Sequence, residues 1–272
     1  MKSFHRRTSR SSPLPAGERS TRLRAGVRLD SLLVERGLAE SRTTARRMIE
    51  AGRVAHDGVT MSKPAQELPT DARLTVQADD DERYVSRGGL KLAGALARTG
   101  LPVVGAVCLD VGQSTGGFSD CLLQAGARRI VGVDVGHGQL HARLQSDARI
   151  VCREGLNGRT LIAGDLGGDM PEAGFDLIVA DLSFISLTLV LPQLPPLLKT
   201  GGNMLLLVKP QFEVGKAGLG KGGVVRDPAL YPEVEARIRI ACNHVDITVC
   251  DWFDSPIAGG DGNREFFIWL KK

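Results

Sequence analysis

The stretch VCLDVGQSTGGF, residues 107–118, decides the fold of this chain. Its first half is an apolar run that contains Asp110, and its second half is a glycine-rich loop that leads into a helical segment at Phe118. A strand, a tight loop and a helix in this order form the repeating unit of α/β folds. Glycines at 112, 116 and 117 allow a ligand to approach the backbone closely. The stretch therefore predicts a ligand-binding loop at the end of a central strand.

Further apolar runs of strand length follow at intervals that leave room for helices. Near-continuous apolar strands with intervening helices indicate a doubly wound, mostly parallel sheet and hence an α/β fold. The last two runs are joined through the glycine-rich residues 259–263, and we expect an antiparallel edge hairpin with a tight link there. The predicted strands are 107–111, 130–134, 150–152, 177–181, 204–208, 247–249 and 266–270.

The glycine loop and the next strand carry a nucleoside-binding pattern. Gly112 is followed by Gly116 and Gly117, a spacing that departs from the GxGxxG of dinucleotide sites. Asp134 ends the next strand, where an acidic side chain can accept hydrogen bonds from two ribose hydroxyls. A tight turn in any α/β protein is the competing interpretation. The combination is typical of class I, Rossmann-like methyltransferases and predicts S-adenosyl-L-methionine as the cofactor.

Four charged residues, Lys91, Asp181, Lys209 and Glu265, are candidates for the chemistry. Asp181 and Lys209 each end a predicted parallel strand, at the edge where α/β proteins place their sites. Charged groups inside apolar runs need a partner or a function, and structural ion pairs are the alternative. A lysine could remove the proton of a ribose hydroxyl if desolvation and a second lysine favoured its neutral form. The acids would then orient the lysines and offset their charge.

The N-terminal part differs from the rest in composition. Residues 1–26 are rich in Ser, Pro, Gly and Arg and are predicted to be a disordered basic tail, with an organellar transit peptide as a minor alternative. Residues 27–78 are predicted to form a small domain with two short helices, the second capped by Ser41. A charged linker, 79–85, separates it from the large domain, 86–272.

The segment RLDSLLVERGLAESRTTARRMIEAGRVAHDG, residues 28–58, resembles the S4 RNA-binding domain, a small α+β fold. The resemblance implies structured RNA as the partner, bound through its shape and phosphates. Arginines on an exposed helix face suit that task, although a merely solvated face is the alternative. The predicted RNA-binding residues are Arg28, Arg42, Arg46, Arg47, Arg53 and Arg87.

Seven motifs in order resemble the TlyA family, whose members are called haemolysins or ribosomal RNA 2′-O-methyltransferases. They are SRGGLKL, DVGQSTGGF, GVDVGHGQL, VADLSFISL, LVKPQFEVGK, GGVVRDP and GNREFFIWL. The resemblance covers nearly everything from Val27 onward and implies an S4 domain joined to an FtsJ-type methyltransferase domain. It further implies S-adenosyl-L-methionine-dependent 2′-O-methylation of cytidine ribose in ribosomal RNA of one or both ribosomal subunits.

The resemblance also implies roles for individual residues. The family's Lys-Asp-Lys-Glu tetrad falls on Lys91, Asp181, Lys209 and Glu265, with Lys209 as the base and Lys91 holding the target nucleotide. Two departures stand out: Gln113 replaces a small residue beside the methionine end of the cofactor, and Leu156 replaces a threonine. The predicted cofactor-binding residues are Asp110, Gly112, Ser114, Thr115, Gly116, Gly117, Phe118, Asp134, Asn157 and Asp181.

Composition narrows the function classes. The 272 residues carry a net charge of +4 and five cysteines without a CxxC pair, which favours reduced thiols in a cytoplasm over disulfides or a zinc finger. His137 and His141 lack an evident third ligand, so we expect no metal. The apolar stretch 177–198 contains an acid and three prolines, so no membrane span is expected.

The alternatives to a ribosomal RNA methyltransferase are a non-catalytic RNA-binding ribosome-assembly factor, a membrane-active haemolysin, or a methyltransferase for small molecules or proteins. The oligomeric state stays open.

Overall fold

The computed structural model describes residues 26–39, 41–77 and 83–272. The chain forms two compact units, one ending at Ala78 and the other beginning at Asp79. The predicted disordered tail lies outside the described residues except for Gly26, and so do residues 79–82 of the predicted linker. Two other residues of that linker belong to the large unit. Tyr84 is 5% exposed in its core, and the backbone N–H of Val85 donates to Asp120 at 2.8 Å.

The small unit is an α+β fold built on two short helices. Ser41 caps the second helix by accepting a hydrogen bond from the backbone of Thr44, as expected. Asp57 and Gly58 both have positive φ, the geometry of a tight hairpin turn between two strands. The elements are β1 Val27–Arg28, α1 Leu29–Glu35, α2 Arg42–Glu50, β2 Val54–His56, β3 Val59–Thr60, β4 Glu67–Leu68 and β5 Leu74–Val76.

The large unit is a seven-stranded sheet flanked by helices. Its strands are β6 Val107–Val111, β7 Arg129–Asp134, β8 Ile150–Glu154, β9 Phe175–Ala180, β10 Leu198–Val208, β11 Thr248–Asp254 and β12 Phe266–Lys271. Its helices are α3 Gly88–Thr99, α4 Gly117–Gln124, α5 Ala142–Gln145, α6 Ala163–Leu166, α7 Leu187–Val190 and α8 Leu230–Asn243. The spatial order is β11-β12-β10-β9-β6-β7-β8, with β12 antiparallel to both of its neighbours and the other pairs parallel. The predicted doubly wound sheet with an antiparallel edge pair is confirmed.

The order of the strands fixes where a ligand can bind. From β6 the chain runs outward to β7 and β8, then returns to β9 beside β6 and runs the other way to β10. A crevice opens at the carboxyl ends of β6 and β9, where the order reverses. Alternate residues of β6 face opposite apolar layers. Cys108 belongs to the same buried apolar cluster as Phe118 of α4, and Leu109 belongs to the other cluster, which contains Ile238 of α8.

Two details of the expected fold need correction. The last two strands pair as predicted, but their connection spans residues 255–265 and is not tight. The turn at Gly259 is a short hairpin inside that longer loop, closed by a hydrogen bond from its N–H to the carbonyl of Asn263 at 2.9 Å. The apolar neighbours of Cys250 in the sequence predict a core position for this residue, but it is exposed. Among the described residues, no helix has the length and apolar character to cross a membrane.

Candidate active site

The glycine loop between β6 and α4 is shaped by a close approach to β9. Gly112 has φ 84°, and an added β-carbon there would lie 2.8 Å from the carbonyl oxygen of Asp181. Only glycine fits this position without moving the backbone. The N–H groups of Gly112 and Gln113 both donate to the carbonyl of Val133 at the end of β7, at 2.8 and 3.1 Å. The loop is therefore fixed against two strands at the carboxyl edge of the sheet.

Asp134 ends β7 with both carboxylate oxygens held by the backbone. The N–H of Ser114 donates to one oxygen at 2.8 Å, and the N–H of Gly136 donates to the other at 2.7 Å. The carboxylate borders a cavity of about 360 Å³ whose apolar walls include Val135, Leu156 and Leu182. Each oxygen retains a lone pair for a further donor. An acid beside apolar walls suits a ribose joined to an aromatic base.

A second, smaller cavity continues from the first. Both are lined by Gly112, Ser114, Asp181 and Ser183, so they form one bent cleft. The second arm is further lined by Ser86, Gly88, Gln113, Thr115, Gly117, Phe118 and Lys209. One arm thus suits an adenosine, and the other is polar and contains a lysine. The cleft fits S-adenosylmethionine with its methionine portion in the second arm.

The four candidate chemical residues form two ion pairs. Lys209 Nζ lies 2.6 Å from Asp181 Oδ1 and also donates to the hydroxyl of Ser183 at 2.9 Å. Lys91 Nζ, on α3, lies 2.5 Å from Glu265 Oε2 at the start of β12. The side chain of Glu265 is 2% exposed and that of Lys91 is 10% exposed. The structure therefore pairs each lysine with one acid, an arrangement that orients both amines and balances their charge.

Gln113 lines the second arm, which suits the methionine portion of the cofactor, but its side chain is buried. It is 3% exposed and fills the space above Gly132, where an added β-carbon would lie 2.0 Å from the Gln113 amide carbon. Gln113 Nε2 donates to the hydroxyl of Ser119 at 2.8 Å, and this hydroxyl donates to Asp110 Oδ2 at 2.7 Å. The side chain thus supports the loop from beneath.

Asp110 is the buried end of this hydrogen-bond chain. It is fully buried, and its Oδ1 accepts no hydrogen bond from the described residues. Burial raises the pKa of Asp110 to about 7, partly opposed by the hydrogen bond from Ser119. Its predicted role as a direct cofactor contact is corrected, because a fully buried carboxyl supports the loop without lining the cleft.

The raised pKa of Asp110 predicts a pH-dependent stability. Because the folded state favours the protonated carboxyl, the free energy of unfolding falls as pH rises from about 4 to about 7, by at most roughly 1.4 kcal/mol per pH unit. Asp110→Asn should remove this loss, so the variant gains stability relative to wild type at pH 8 but not at pH 4. Urea unfolding at both pH values measures it. Asp261→Asn, on the exposed loop, is the control, and parallel pH profiles for wild type and Asp110→Asn would contradict the prediction.

The ribose assignment of Asp134 gives a second expected result. Asp134→Ala should weaken binding of S-adenosylmethionine by about 1–3 kcal/mol, the cost of losing hydrogen bonds to a charged acceptor. Calorimetric titration of the purified variant measures it, with Asp147→Ala, a surface acid paired with Arg149, as the control. An unchanged affinity would rule the assignment out.

Two further predicted cofactor-binding residues, Gly116 and Asn157, do not themselves line the cleft. Gly116 does not line the cleft, because Leu144 and Leu140 cover its α-carbon. The exposed Asn157 turns its side chain back to accept from the N–H of Arg159 at 3.0 Å, and its neighbours Leu156 and Gly158 line the cleft.

Sequence reasoning missed Ser183, which lines both arms and accepts a hydrogen bond from Lys209. Its position two residues after the strand-ending acid was an available signal.

The six predicted RNA-binding arginines also differ in their contacts. Arg28 and Arg42 both pair with the buried Asp30, at 2.8 and 3.1 Å, and the hydrogen bonds from Arg28 hold the pKa of Asp30 well below its usual range. Arg53 donates to the carbonyl of Gln77 and Arg87 to that of Ala258. Arg46 and Arg47 are exposed on α2 and have no ion pair with any described residue. These two are therefore the freest cations of the set.

Comparison with known proteins supports the methyltransferase assignment of the large unit and the S4 assignment of the small one. The FtsJ-like methyltransferase profile matches residues 84–272, and the S4 domain profile matches residues 27–74. The chain is 44% identical over 245 residues to the 16S/23S rRNA (cytidine-2′-O)-methyltransferase TlyA of Mycobacterium tuberculosis, covering 90% of each protein. It is 36% identical over 246 residues to Hemolysin A of Brachyspira hyodysenteriae, covering 88% of this chain and 98% of the relative.

Solved structures show the same architecture. A protein named as a hemolysin from Streptococcus thermophilus superposes with a TM-score of 0.68 at 38% identity, covering 92% of this chain and 89% of the other. An S-adenosylmethionine-dependent methyltransferase from Mesorhizobium loti, at 16% identity and a TM-score of 0.50, covers 66% of this chain and 96% of the other, and shares the fold. The predicted resemblance is confirmed: the chain belongs to the FtsJ-like methyltransferase family, carries an S4 domain before its methyltransferase domain, and uses S-adenosylmethionine as its cofactor.

Proposed function

We propose that this protein methylates the 2′-hydroxyl of a cytidine ribose in ribosomal RNA. The observation that carries the proposal is the ion pair of Lys209 with Asp181 at the junction of the two arms of the cofactor cleft. An amine at that point can meet a hydroxyl group that faces the methyl group. The activity named for the Mycobacterium relative supports the choice of substrate.

The residues of this chain supply proton removal and orientation. S-adenosylmethionine, when bound, provides an electrophilic methyl group. The amine of Lys209 accepts the proton of the ribose hydroxyl, and the carboxylate of Asp181 stabilises the ammonium that results. Ser183 holds the amine from a second direction. Lys91, fixed by Glu265, binds the target nucleotide.

The wider assignments belong to the same proposal. The S4 domain comprises 27–78 and the methyltransferase domain 84–272, because Tyr84 and Val85 of the predicted linker pack in the large unit, and both domains act on ribosomal RNA within one or both ribosomal subunits. The protein then works in the cytoplasm, where those subunits are found.

The deciding experiment maps 2′-O-methyl groups on ribosomal RNA and subunits incubated with purified protein and labelled S-adenosylmethionine. We expect label on a cytidine ribose, and none with the Lys209→Ala variant as a control. Transfer to small molecules or proteins instead of RNA would contradict the proposal. RNA binding without any transfer would favour an assembly factor, and leakage of liposomes by the purified protein would favour a haemolysin.

The S4 arginines lead to a prediction about RNA affinity. The double variant Arg46→Ala/Arg47→Ala should bind ribosomal RNA more weakly, with the log–log salt slope smaller by about one unit for each lost phosphate contact. Cofactor affinity should not change. Arg36→Ala is the matched control, because its guanidinium already bonds the carbonyls of Ala72 and Thr70. Superimposable salt titrations for wild type and the double variant would show that these arginines do not contact RNA.

A further inference from the structure

The loop between β10 and α8 carries an unusual distribution of charge. Residues 215–226, the glycine–lysine loop, contain Lys216, Lys221 and Arg226 but no acidic residue. Both lysines are exposed, and neither forms an ion pair with any described residue. The loop is also rich in glycine, and Gly222 and Gly223 both have positive φ, so its backbone turns in ways that other residues disfavour. It is therefore a cationic, closely turned segment whose two lysines form no ion pair with any described residue.

The loop is tied to the catalytic elements at both ends. It begins a few residues after Lys209, beyond the short 3-10 turn Pro210–Phe212. The intervening Glu213 is 5% exposed and accepts hydrogen bonds from the hydroxyl of Ser186 at 2.6 Å and the N–H of Leu187 at 2.8 Å. The start of the loop is thus anchored at α7. Its position relative to Lys209 is set by a buried carboxylate.

The far side of the loop is held by Asn263. This side chain is 1% exposed; its Oδ1 accepts from the N–H of Val225 at 3.0 Å, and its Nδ2 donates to the carbonyl of Gly223 at 3.1 Å. An amide can accept and donate at once, which neither a carboxylate nor an aliphatic side chain can do. Asn263 stands two residues before Glu265, the partner of Lys91. One side chain therefore couples the loop to the strand that carries a catalytic acid.

We infer that the glycine–lysine loop binds the phosphates flanking the target ribose, and that Asn263 is the positioning residue that holds it in place. This inference rests on the proposed function. An internal ribose of an RNA is joined to a phosphate on each side, so a nucleotide that reacts at Lys209 brings two phosphates to the segments around that residue, and the loop begins six residues after it. Flexible lysines on a segment free of acids attract phosphates without reading the base. The loop then adds affinity beside the reacting nucleotide, separately from the S4 domain.

The test compares full-length variants on ribosomal RNA. Lys216→Ala and Lys221→Ala should each raise the KM for RNA about fivefold, the size of one exposed ion pair, with kcat and cofactor affinity unchanged. Each should reduce the log–log salt slope of RNA binding by about one unit. Lys271→Ala, an exposed lysine at the end of β12, is the matched control and should do neither. Loop variants that match this control would overturn the inference.

The positioning role of Asn263 is tested by asking whether its substitution and those of the two lysines have additive effects on the KM for RNA. Asn263→Ala should raise the KM for RNA as much as the two lysine substitutions together, and adding them to Asn263→Ala should cause no further rise. Asn263→Asp, which keeps the acceptor and loses the donor, provides the same comparison if the alanine variant does not fold. A fall in kcat at unchanged KM, with fully additive lysine effects, would show that Asn263 supports Glu265 alone. The salt titrations measure binding, so they report on the loop even if wild type transfers no methyl group and the proposed function fails.

Discussion

Lys209→Ala is expected to fold, to bind S-adenosylmethionine and to lose methyl transfer. Removing a general base slows a reaction by about 10²–10⁴-fold. In the proposed mechanism Lys209, which is held by Asp181 and Ser183, also orients the hydroxyl, so we expect the upper end of that range. Single-turnover transfer of labelled methyl to ribosomal RNA measures the effect on the chemical step alone.

The control for this variant is Lys199→Ala. Lys199 also forms an ion pair with an acid, Asp176, but this pair lies outside the cleft. Its loss should leave transfer near the wild-type rate. If Lys209→Ala retains near wild-type turnover while its cofactor affinity is also unchanged, Lys209 is not the base.

Lys91→Met is expected to lower the free energy of unfolding by about 3–5 kcal/mol, because it leaves the carboxylate of Glu265 buried without a partner. The side chain of Glu265 is 2% exposed and its Oε2 lies 2.5 Å from the lysine amine. Urea denaturation at neutral pH measures the loss. The expected effect is large because the Glu265 carboxylate is almost fully shielded from water in the native state, so water cannot replace the lost lysine.

The double variant Lys91→Met/Glu265→Gln separates stability from function. It removes both charges, so it should recover much of the lost stability. Methyl transfer should remain impaired, because the lysine proposed to hold the target nucleotide is absent. Asp251→Asn, which breaks the exposed pair with Arg98, is the control and should cost well under the buried pair. A double variant as unstable as Lys91→Met would show that the pair is not the origin of the loss.

Much of the sheet could be predicted from the sequence, since each buried parallel strand is a near-continuous apolar run. The predicted run 107–111 is the observed β6 without a change. The ligand edge also followed, because Asp134 and Lys209 come directly at strand ends. The length of the connection between the last two strands, residues 255–265, was harder to predict. The apolar period shows which residues are buried but not how long a connection is.

Side-chain partners could not be predicted in the same way. The sequence predicted Lys91, Asp181, Lys209 and Glu265 as one site, but their division into two pairs depends on distances between elements far apart in the chain. Of the four, Asp181 and Lys209 line the cleft described above, and Lys91 and Glu265 do not. The direction of Gln113 depends on a space that Gly132 leaves in the neighbouring strand. Local patterns carry no information on such a space, so the partners of the glutamine side chain could not be predicted.

The packing of Gln113 over Gly132 makes these two positions epistatic. While residue 113 is a glutamine, any β-carbon at 132 meets its amide, so Gly132→Ala should be harmful in this chain. Once residue 113 is shortened to alanine, the same substitution at 132 has room to be accepted. Evolution can therefore reach a larger residue at 132 by one order of steps and not by the other. In a chain that carries Gln113, a larger residue at 132 becomes acceptable after the glutamine has been replaced by a shorter side chain.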